Sequence, residues 1–335
     1  MKNPLRVFSL FSGGCDSLCS TLLMKKEGFE VIPIFFETPF FPAIKAKKVA
    51  KENKLELLVV DFTDEILAIL KKPRYGFGRY TNPCIDCHGA MFAKAFSMRD
   101  KYEVDFIVSG EVVGQRPMSQ RKDSLAAVAK ISGIRDYIVR PLSQKLLADT
   151  LPITRRWVDK NKLFDISGRS RRRQISFAKS LGVKEIPSSA GGCLLTNPNY
   201  SKKVSDLIGH NQINRQSVEL LSLGRHFRIS EGAKLILGRN EAENNSLEVA
   251  LQKSSKTIIK AKDFASPFGA FDTTAQSLTE DELKIGAGIY LSYCKASNTE
   301  KRLIFYGQIG KETTQIFARA LKRQEIGKYR INPRS

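Results

Sequence analysis

A glycine-bearing turn joins the first apolar run of the chain to its first helical pattern. Residues 5–11 form a short, mostly apolar run, which predicts a buried strand. Leucines then recur at helical spacing over residues 18–27, which predicts a helix. Between them lies Ser-Gly-Gly-Cys-Asp-Ser at residues 12–17. Glycines let a backbone approach a ligand, and unpaired N–H groups at a helix N-terminus point at its charge. The turn therefore predicts an anion site, where Asp16 could help to hold Mg²⁺ on a phosphate.

The sequence of the turn excludes two common classes of phosphate site. It has neither the Gly-Lys-Ser/Thr ending of a Walker loop nor the third glycine of a dinucleotide fingerprint. Two glycines after a strand also occur in many α/β turns for packing reasons alone. The complete hexapeptide is more specific than the glycine pair, and it favours a phosphate site of another class.

Further apolar runs alternate with helical patterns through the first half of the chain. They cover residues 31–36, 55–60, 104–109 and 138–139. This rhythm predicts βαβ units and a parallel sheet, in which ligands bind beyond the carboxyl ends of the strands. Residues 146–162 show a further helical pattern, although Pro152 interrupts it. We expect an α/β domain with its site at one edge of the sheet.

The second half of the chain has a different character from about Tyr200 onward. Residues 204–221 are helical in pattern and predict a connector, and short strand-like runs recur at 257–259, 289–293 and 302–306. We expect a smaller α+β domain here. The predicted boundaries are 1–200 for the first domain and 201–335 for the second.

The balance of charge points to a polyanionic partner. The 335 residues include 55 Lys and Arg against 34 Asp and Glu, a net charge of +21. Nucleic acid is the commonest partner of so basic a protein, although a generally basic proteome would give the same balance. No apolar run approaches the roughly 20 residues that cross a bilayer, and no signal peptide is evident. We expect a cytoplasmic protein that does not bind membranes.

Two basic segments are candidate RNA contacts. The first predicts a phosphate-backbone site, because arginine pairs with phosphate through two hydrogen bonds, and it contains Arg169, Arg171, Arg172 and Arg173. The alternative is a solvated helix start, which a positive run disfavours. The second segment, residues 71–83, interleaves cations with Tyr75, Phe77 and Tyr80. Such a loop could stack unpaired bases, or simply tuck its aromatic rings against the protein.

Three of the six cysteines are candidates for chemistry. Cys84 and Cys87 form a C-x-x-C motif at the start of a helix predicted over residues 86–98. The helix N-terminus is expected to lower their pKa, and the motif could serve as a redox pair, half a zinc site or part of an iron–sulfur site. Cys193 follows Gly191 and Gly192 in a flexible turn and could instead be a buried packing residue. Cys15, Cys19 and Cys294 are predicted to pack.

Taken together, these motifs resemble those of the PP-loop thiouridine synthetases, over roughly residues 5–196. Residues 12–17 match the ATP loop, 82–87 resemble the family's Asn-Pro-x-x-x-Cys segment, and 192–193 resemble its second cysteine site. The resemblance implies a parallel-sheet domain of the adenine nucleotide alpha hydrolase-like (HUP/PP-loop) type. It also implies ATP-binding residues, which are Phe11, Ser12, Gly13, Gly14, Asp16, Ser17, Phe36 and Gly110.

The same resemblance implies a reaction. ATP and Mg²⁺ would adenylate a uridine carbonyl oxygen of tRNA, and sulfur would then displace AMP. Catalytic roles would fall to Asp16, Cys87 and Cys193, while Cys84, Cys87 and Cys193 would hold a 4Fe–4S cluster. In family members without a cluster, two cysteines act as persulfide carrier and resolving thiol, which here would leave Cys84 without a role. The sulfur donor, either sulfide or a cysteine desulfurase, is not identified by the sequence.

A second resemblance covers part of the C-terminal domain. Residues 237–244, Leu-Gly-Arg-Asn-x-x-x-Asn, are similar to the start of the RNA-binding domain in NFACT proteins. This implies RNA contacts at Arg239 and Asn240. The alternative is an ordinary Gly-Asn turn after a strand.

Two other functions are compatible with the motifs. One is a PP-loop ligase that acts on a small molecule, with zinc at the cysteines. The other is a non-catalytic RNA-binding protein with a degenerate ATP loop. The basic segments speak against the first, and RNA-dependent release of pyrophosphate would exclude the second.

Overall fold

The chain divides into two compact units. The computed structural model describes residues 4–116, 118–188, 192–252, 254, 256–273, 277–295 and 302–331. The N-terminal unit is Met1–Thr196 and the C-terminal unit is Asn197–Ser335.

The N-terminal unit alternates strands and helices along the chain. Its elements are β1 (Arg6–Leu10), α1 (Cys15–Lys26), β2 (Glu30–Glu37), α2 (Ile44–Glu52), β3 (Leu58–Asp61), α3 (Thr63–Lys71), α4 (Cys84–Ser97), α5 (Arg99–Tyr102), β4 (Phe106–Ser109), α6 (Lys122–Ser132), β5 (Ile138–Val139), α7 (Leu151–Thr154) and α8 (Arg172–Ser180). The strands described here form a parallel sheet in the order β3-β2-β1-β4-β5. This confirms the predicted α/β fold class.

Strand β1 lies at the centre of this sheet, paired with β2 and β4, and both of its faces are covered. Val7 and Phe8 point to opposite faces, and both are fully buried. Val7 packs with Leu23 and Phe106, whereas the ring of Phe8 meets that of Tyr102 edge-on, with centroids 5.4 Å apart. A strand buried on both sides explains why residues 5–11 read as a continuous apolar run.

The helix expected over residues 146–162 is wrong in extent. The only α-helix within these residues is α7, with Pro152 in its first turn, and a 3₁₀ turn follows at Lys160–Lys162. The amides of Trp157 and Val158 both donate to the Pro152 carbonyl, and Arg156 has a φ of 57°. This left-handed residue turns the chain back, so the periodic residues belong to a compact turn.

The C-terminal unit is built on an antiparallel sheet. Its elements are α9 (Pro198–Gly209), α10 (Arg215–Glu219), β6 (Arg225–Arg228), β7 (Ala233–Leu237), α11 (Glu241–Leu251), β8 (Thr257–Lys260), β9 (Gly269–Thr273), α12 (Glu280–Leu291), β10 (Arg302–Gln308), β11 (Thr314–Ala318) and α13 (Arg323–Gly327). Among the described residues the strand order is β11-β10-β8-β9-β7-β6. The predicted α+β class of this part of the chain is confirmed.

Two local expectations in this unit are wrong. Residues 289–293, predicted as a strand, include the end of α12, a helix that begins with a capping box between Thr279 and Glu282. Gly286 of this helix lies against the Phe271 ring, where a Cβ would approach to 2.4 Å. The connector over residues 204–221 is two helices rather than one, because α9 ends at Gly209 and α10 begins after the Asn214 cap.

No helix in the described part of the chain has both the length and the apolar character needed to span a bilayer.

Candidate active site

The turn after β1 leaves the start of α1 open to an anion. Gly14 is the N-cap and has no side chain with which to cap the helix. The hydroxyl of Ser17 donates to the Gly14 carbonyl at 2.9 Å and accepts from the Ser12 amide at 3.2 Å, which closes the loop. The N–H groups of the first turn therefore remain available to a phosphate.

Two glycines are required by close backbone approaches. Gly13 has a φ of +70°, and a Cβ there would lie 2.7 Å from the Ala46 Cα atom of α2. A Cβ on Gly110, just after β4, would lie 2.6 Å from both Cα and N of Ser17. Any larger residue at either position would push backbone away from the loop, so these glycines fix its shape.

Of the two carboxylate oxygens of Asp16, only Oδ2 has partners among the described residues. Its Oδ2 accepts a hydrogen bond of 2.5 Å from Gln115 Nε2 and lies 3.5 Å from Arg171 Nε. Gln115 is itself oriented by fully buried Gln174, whose Nε2 donates to Gln115 Oε1 at 2.9 Å. The other carboxylate oxygen, Oδ1, is buried and has no hydrogen-bond partner among the described residues. An orphaned carboxylate oxygen beside a phosphate site is suited to a cation.

All but one of the predicted ATP residues line the same pocket as the three candidate cysteines. It lies at the carboxyl ends of β1, β2 and β4. Its walls include Phe11, Ser12, Gly14, Asp16, Ser17, Phe36, Gly110, Cys84, Cys87 and Cys193. Gly13, also a predicted ATP residue, is not part of the lining; its role in the structure is the close approach to α2.

The cysteines reach this pocket from two segments. Helix α4 begins at Cys84, two residues earlier than expected, and Asn82 Nδ2 donates to Cys84 Sγ at 3.2 Å. The segment with Cys193 is tied down by Leu194, whose amide donates to the Phe40 carbonyl at 2.8 Å. Gly192 has a φ of 141°, as the flexible turn predicts, and Gly191 lies outside the described residues.

Two of the pocket thiols are harder to ionise than the C-x-x-C motif suggests. Burial raises the pKa of Cys87 well above its ordinary value, and the neighbouring Cys193, Cys84 and Asp86 raise it further. Burial also raises the pKa of Cys193 to about 11, although Arg116 acts in the opposite direction. The expected lowering by the helix N-terminus is therefore wrong for Cys87, because desolvation outweighs it.

A buried charge network supports the floor of the pocket and was not predicted from the sequence. Glu111 accepts from Arg140 Nε at 2.8 Å and lies 2.9 Å from Nδ1 of His88, a pocket residue. Burial raises the pKa of Glu111, but Arg140 and His88 outweigh it and hold that pKa at about 2. An ionised Glu111 accepts a hydrogen bond from the N–H at His88 Nδ1, which fixes the orientation of the ring. The only signal in the sequence was that Glu111 follows a strand end.

The basic aromatic loop of residues 71–83 is anchored beside the cysteines. Buried Asp86, in the first turn of α4, accepts from the amides of Arg74 and Tyr75 at 3.0 and 2.9 Å. Tyr75 and Phe77 are 43% and 39% exposed, so their rings are not tucked into the core. Tyr80 is half-buried. The interpretation in which the loop tucks its aromatic rings against the protein therefore fails for Tyr75 and Phe77, and the contact with RNA stays a prediction.

The four arginines of the 169–173 segment have different surroundings. Arg171 faces Asp16, and Arg173 pairs with Asp165 at 2.7 Å. Arg169 and Arg172 are exposed and have no acidic partner among the residues that the structure describes. Only these two are free to meet a phosphate backbone without first breaking an ion pair.

The NFACT-like residues are engaged within the C-terminal unit. Asn240 caps α11 by accepting from the Glu243 amide at 3.0 Å, and Arg239 forms an ion pair with Glu243. Gly238 lies against the Asn244 side chain, whose Oδ1 accepts from the Phe268 amide at 3.0 Å. The motif thus has a structural role at the start of this helix, and its role in RNA binding stays a prediction.

Two family models match the chain, one in each unit. The model described as thiamine biosynthesis protein (ThiI) matches residues 4–145, and that described as NFACT protein RNA binding domain matches residues 224–330. The predicted resemblance to the PP-loop thiouridine synthetases is confirmed. Its C-terminal counterpart, the resemblance to the NFACT RNA-binding domain, is confirmed as well.

Two relatives in sequence agree with the N-terminal match. The tRNA-specific 2-thiouridylase MnmA of Karelsulcia muelleri is 28% identical over 179 residues, which are 49% of this chain and 46% of that protein. A probable tRNA sulfurtransferase of Thermococcus kodakarensis is 30% identical over 144 residues, 41% of this chain and 36% of that protein. The chain thus spans less than half the length of either relative. A solved 4-thiouridine synthetase–RNA complex with bound ATP aligns with a TM-score of 0.40 and 20% identity, over 65% of this chain and 51% of that one.

Proposed function

We propose that this protein is an ATP-dependent tRNA sulfurtransferase that makes a thiouridine. The observation that carries the proposal is the shared pocket, in which the ATP-loop residues and Cys84, Cys87 and Cys193 line one set of walls. A reaction that first activates a carbonyl oxygen and then replaces it with sulfur needs both groups within reach of one substrate atom. The names of the relatives, a thiouridylase and a probable tRNA sulfurtransferase, support this choice of reaction.

In the activation step, the start of α1 would hold the phosphates of ATP. Asp16 would hold Mg²⁺ through Oδ1, the oxygen without a partner, while Gln115 keeps Oδ2 in place. The uridine carbonyl oxygen attacks the α-phosphorus, the bond to the β-phosphate breaks, and pyrophosphate leaves. The proton of the ring nitrogen passes to water. The product is an O-adenylated base held beside the cysteines.

In the second step, a sulfur nucleophile replaces the activated oxygen. Hydrosulfide attacks the activated carbon, the carbon–oxygen bond breaks, and AMP leaves with the former carbonyl oxygen. The proton that hydrosulfide brought returns to the ring nitrogen, so no oxidant or reductant is needed.

Cys84, Cys87 and Cys193 would hold a 4Fe–4S cluster. Three soft thiols on the walls of one pocket are the donor set that such a cluster takes. Within the described ranges, no three Cys, His, Asp or Glu side chains are grouped to hold a single metal ion. A cluster differs from such a site because its ligands are spread over several iron atoms. When bound, a cluster with three protein ligands supplies an iron atom open to exogenous sulfur.

The acceptor would be tRNA. The net charge of +21 favours a polyanion, and the match of residues 224–330 to an NFACT RNA binding domain supports RNA as its identity. Near the pocket, exposed Tyr75 and Phe77 lie in a loop that carries four cations and no acidic residue. Aromatic rings among cations suit the unstacked bases of a tRNA loop.

The proposal is tested with anaerobically purified protein, ATP, sulfide and unfractionated tRNA. We expect tRNA-dependent release of pyrophosphate and formation of one thionucleoside, measured by nucleoside mass spectrometry. We also expect bound iron and a visible absorbance after reconstitution, both reduced in Cys84→Ser but retained in Cys294→Ser, a cysteine of the C-terminal unit.

The outcomes separate the two versions of sulfur delivery. A protein that stays colourless and iron-free after reconstitution, yet makes thionucleoside from sulfide, would exclude the cluster and leave direct attack of hydrosulfide on the adenylate. A protein that makes thionucleoside only when a cysteine desulfurase and cysteine replace sulfide would instead indicate a persulfide on Cys87 or Cys193, because the desulfurase supplies sulfur already at the persulfide oxidation level. Pyrophosphate release that is independent of tRNA, without any thionucleoside, would contradict the proposed function itself.

A further inference from the structure

A second cavity lies wholly within the C-terminal unit and is lined by cations. It is formed around the edge strand β6, the end of α12 and the segment that contains α13. Five of its lining residues are basic, and one, Glu325, is acidic. The basic residues are Arg225, Arg319, Lys322, Arg323 and Arg330.

These cations are not neutralised by the protein. The Glu325 carboxylate is occupied by the backbone, since it accepts from the Lys322 amide at 2.8 Å. None of the five basic side chains forms an ion pair with an acidic side chain in the part of the chain that the structure describes. Arg225 instead lies over the ring of Tyr293, 5.0 Å from its centroid, and donates to the Gly238 carbonyl at 3.3 Å.

Backbone pairing holds Arg225 and Arg330 close together. Arg225 begins β6, and the C-terminal segment pairs with that strand through an antiparallel bridge between Phe227 and Arg330. The amide of Arg228 donates to the Tyr329 carbonyl at 2.7 Å, and that of Ile331 to the His226 carbonyl at 3.1 Å. Burial lowers the pKa of Arg225, and the positive charges of Arg330 and Arg239 lower it further. Like charges fixed near one another destabilise a fold unless an anion joins them.

The motif at residues 237–244, which the sequence suggests as an RNA contact, has its polar side chains already engaged within the protein. Arg239 is already paired with Glu243, and Asn240 caps α11. The cation of the motif is therefore already neutralised, whereas the five cations of the cavity have no acidic partner among the described residues.

We propose that this cavity binds phosphate groups of the RNA backbone. The inference rests on the proposed function, in which tRNA is the acceptor. The guanidinium group of arginine can donate two parallel hydrogen bonds to the oxygens of one phosphate. The Tyr293 ring adds an aromatic face beside Arg225. Contacts of this kind fix the position of an RNA without reading its sequence.

The test measures the affinity of the full-length protein for labelled unfractionated tRNA at several salt concentrations. The variant Arg319→Ala/Arg323→Ala removes two exposed side chains that no fold contact requires. We expect the Kd to rise about tenfold at 0.15 M salt, and the slope of log K against log salt to fall by about two. The matched control, Lys202→Ala/Lys311→Ala, removes the same charge from exposed positions outside the cavity and is expected to change the slope less.

Each outcome decides the matter. A cavity variant that binds tRNA with the affinity and slope of the wild type overturns this inference and leaves the proposed function standing. Equal losses in the cavity and control variants also overturn it, because net charge alone would then explain binding. If inorganic phosphate binds at the cavity but tRNA affinity is unchanged in the variant, the site serves a small anion and the inference fails. A wild-type protein that binds no tRNA overturns both proposals.

Discussion

The Nε atom of Arg171 lies 3.5 Å from Oδ2 of Asp16, so the arginine-rich segment meets the ATP loop. Arg171 Nε is buried and has no hydrogen-bond partner within the described residues, and it is only within ion-pair distance of the carboxylate. In the proposed reaction, a cation in this position would neutralise Asp16 before ATP and Mg²⁺ bind and would turn to a phosphate afterwards. One of the four arginines predicted to bind RNA is therefore placed to serve the nucleotide.

We expect Arg171→Ala to lower kcat/KM for ATP about tenfold, because a hydrogen bond to a charged group contributes about 1.5–3 kcal/mol. The measurement is steady-state release of pyrophosphate at saturating tRNA. Arg172→Ala is the companion variant: its side chain is exposed without an acidic partner, so it is expected to weaken tRNA binding and not the KM for ATP. The assignment of Arg171 to the ATP site is wrong if the two variants show the same pattern.

Gly110→Ala is expected to abolish ATP binding. The new Cβ would lie 2.6 Å from the Cα and N atoms of Ser17, and neither backbone atom can move without opening the loop. ATP affinity by calorimetry, with circular dichroism to check the fold, gives the readout. Gly209→Ala serves as the control, because a Cβ there meets nothing within 4 Å and the residue does not need a positive φ. Unchanged ATP affinity in Gly110→Ala would refute the role of this close approach.

The buried Glu111 network predicts how the stability of the N-terminal unit depends on pH. The pKa of Glu111 is lowered to about 2, so its ionised form stabilises the fold above the ordinary carboxyl pKa, and this stability is lost as the pH falls toward 2. Glu111→Gln should lower the free energy of unfolding at pH 7 by about 3 kcal/mol, since it breaks a buried ion pair. It should also reduce the loss of stability between about pH 5 and pH 2.

Urea unfolding of the N-terminal unit, followed by circular dichroism at several pH values, measures both effects. Asp100→Asn is the matched control, because that carboxylate is exposed and its pair with Arg99 should contribute less than about 1 kcal/mol. Equal effects of the two substitutions would show that Glu111 does not stabilise the unit through its buried pair.

The exposed rings of the 71–83 loop predict a contact with unpaired bases. Tyr75→Ala/Phe77→Ala should weaken tRNA binding at least tenfold, since stacking contributes about 1–3 kcal/mol per base. Tyr75→Phe/Phe77→Tyr keeps both rings and should bind tRNA nearly as the wild type does. Phe317→Ala, which removes an exposed ring of the C-terminal unit, is the control. Equal losses of tRNA affinity in Tyr75→Ala/Phe77→Ala and in Phe317→Ala would show that the rings of the loop do not contact tRNA specifically.

The fold of the N-terminal unit could be predicted because its apolar runs and turns carry strong local signals. Residues 138–139, for example, are the strand β5, and the carboxyl ends of β1, β2 and β4 meet at the pocket as topology requires. The strand expected at 289–293 is a helix end, because packing of Gly286 against Phe271 and a capping box decide the structure there.

Parts of the site depend on contacts between distant segments and could not be predicted. No local pattern pairs Arg171 with Asp16, or His88 with Glu111 and Arg140. The raised pKa of Cys87 likewise follows from burial beside Cys193 and Cys84, whereas the motif alone suggests the opposite direction. The sequence suggests RNA contacts at Asn240 and Arg239. In the structure, the Asn240 side chain caps α11 and the Arg239 side chain forms an ion pair with Glu243.

The central claim is that ATP activation and sulfur delivery share one pocket in a tRNA-modifying enzyme. Nucleoside mass spectrometry of tRNA from a deletion strain tests it most directly, after complementation with the wild type, Cys193→Ser or Cys294→Ser. One thionucleoside should disappear on deletion and return with the wild type and Cys294→Ser, but not with Cys193→Ser. A thionucleoside profile unchanged by deletion, or restored in full by Cys193→Ser, would contradict the account.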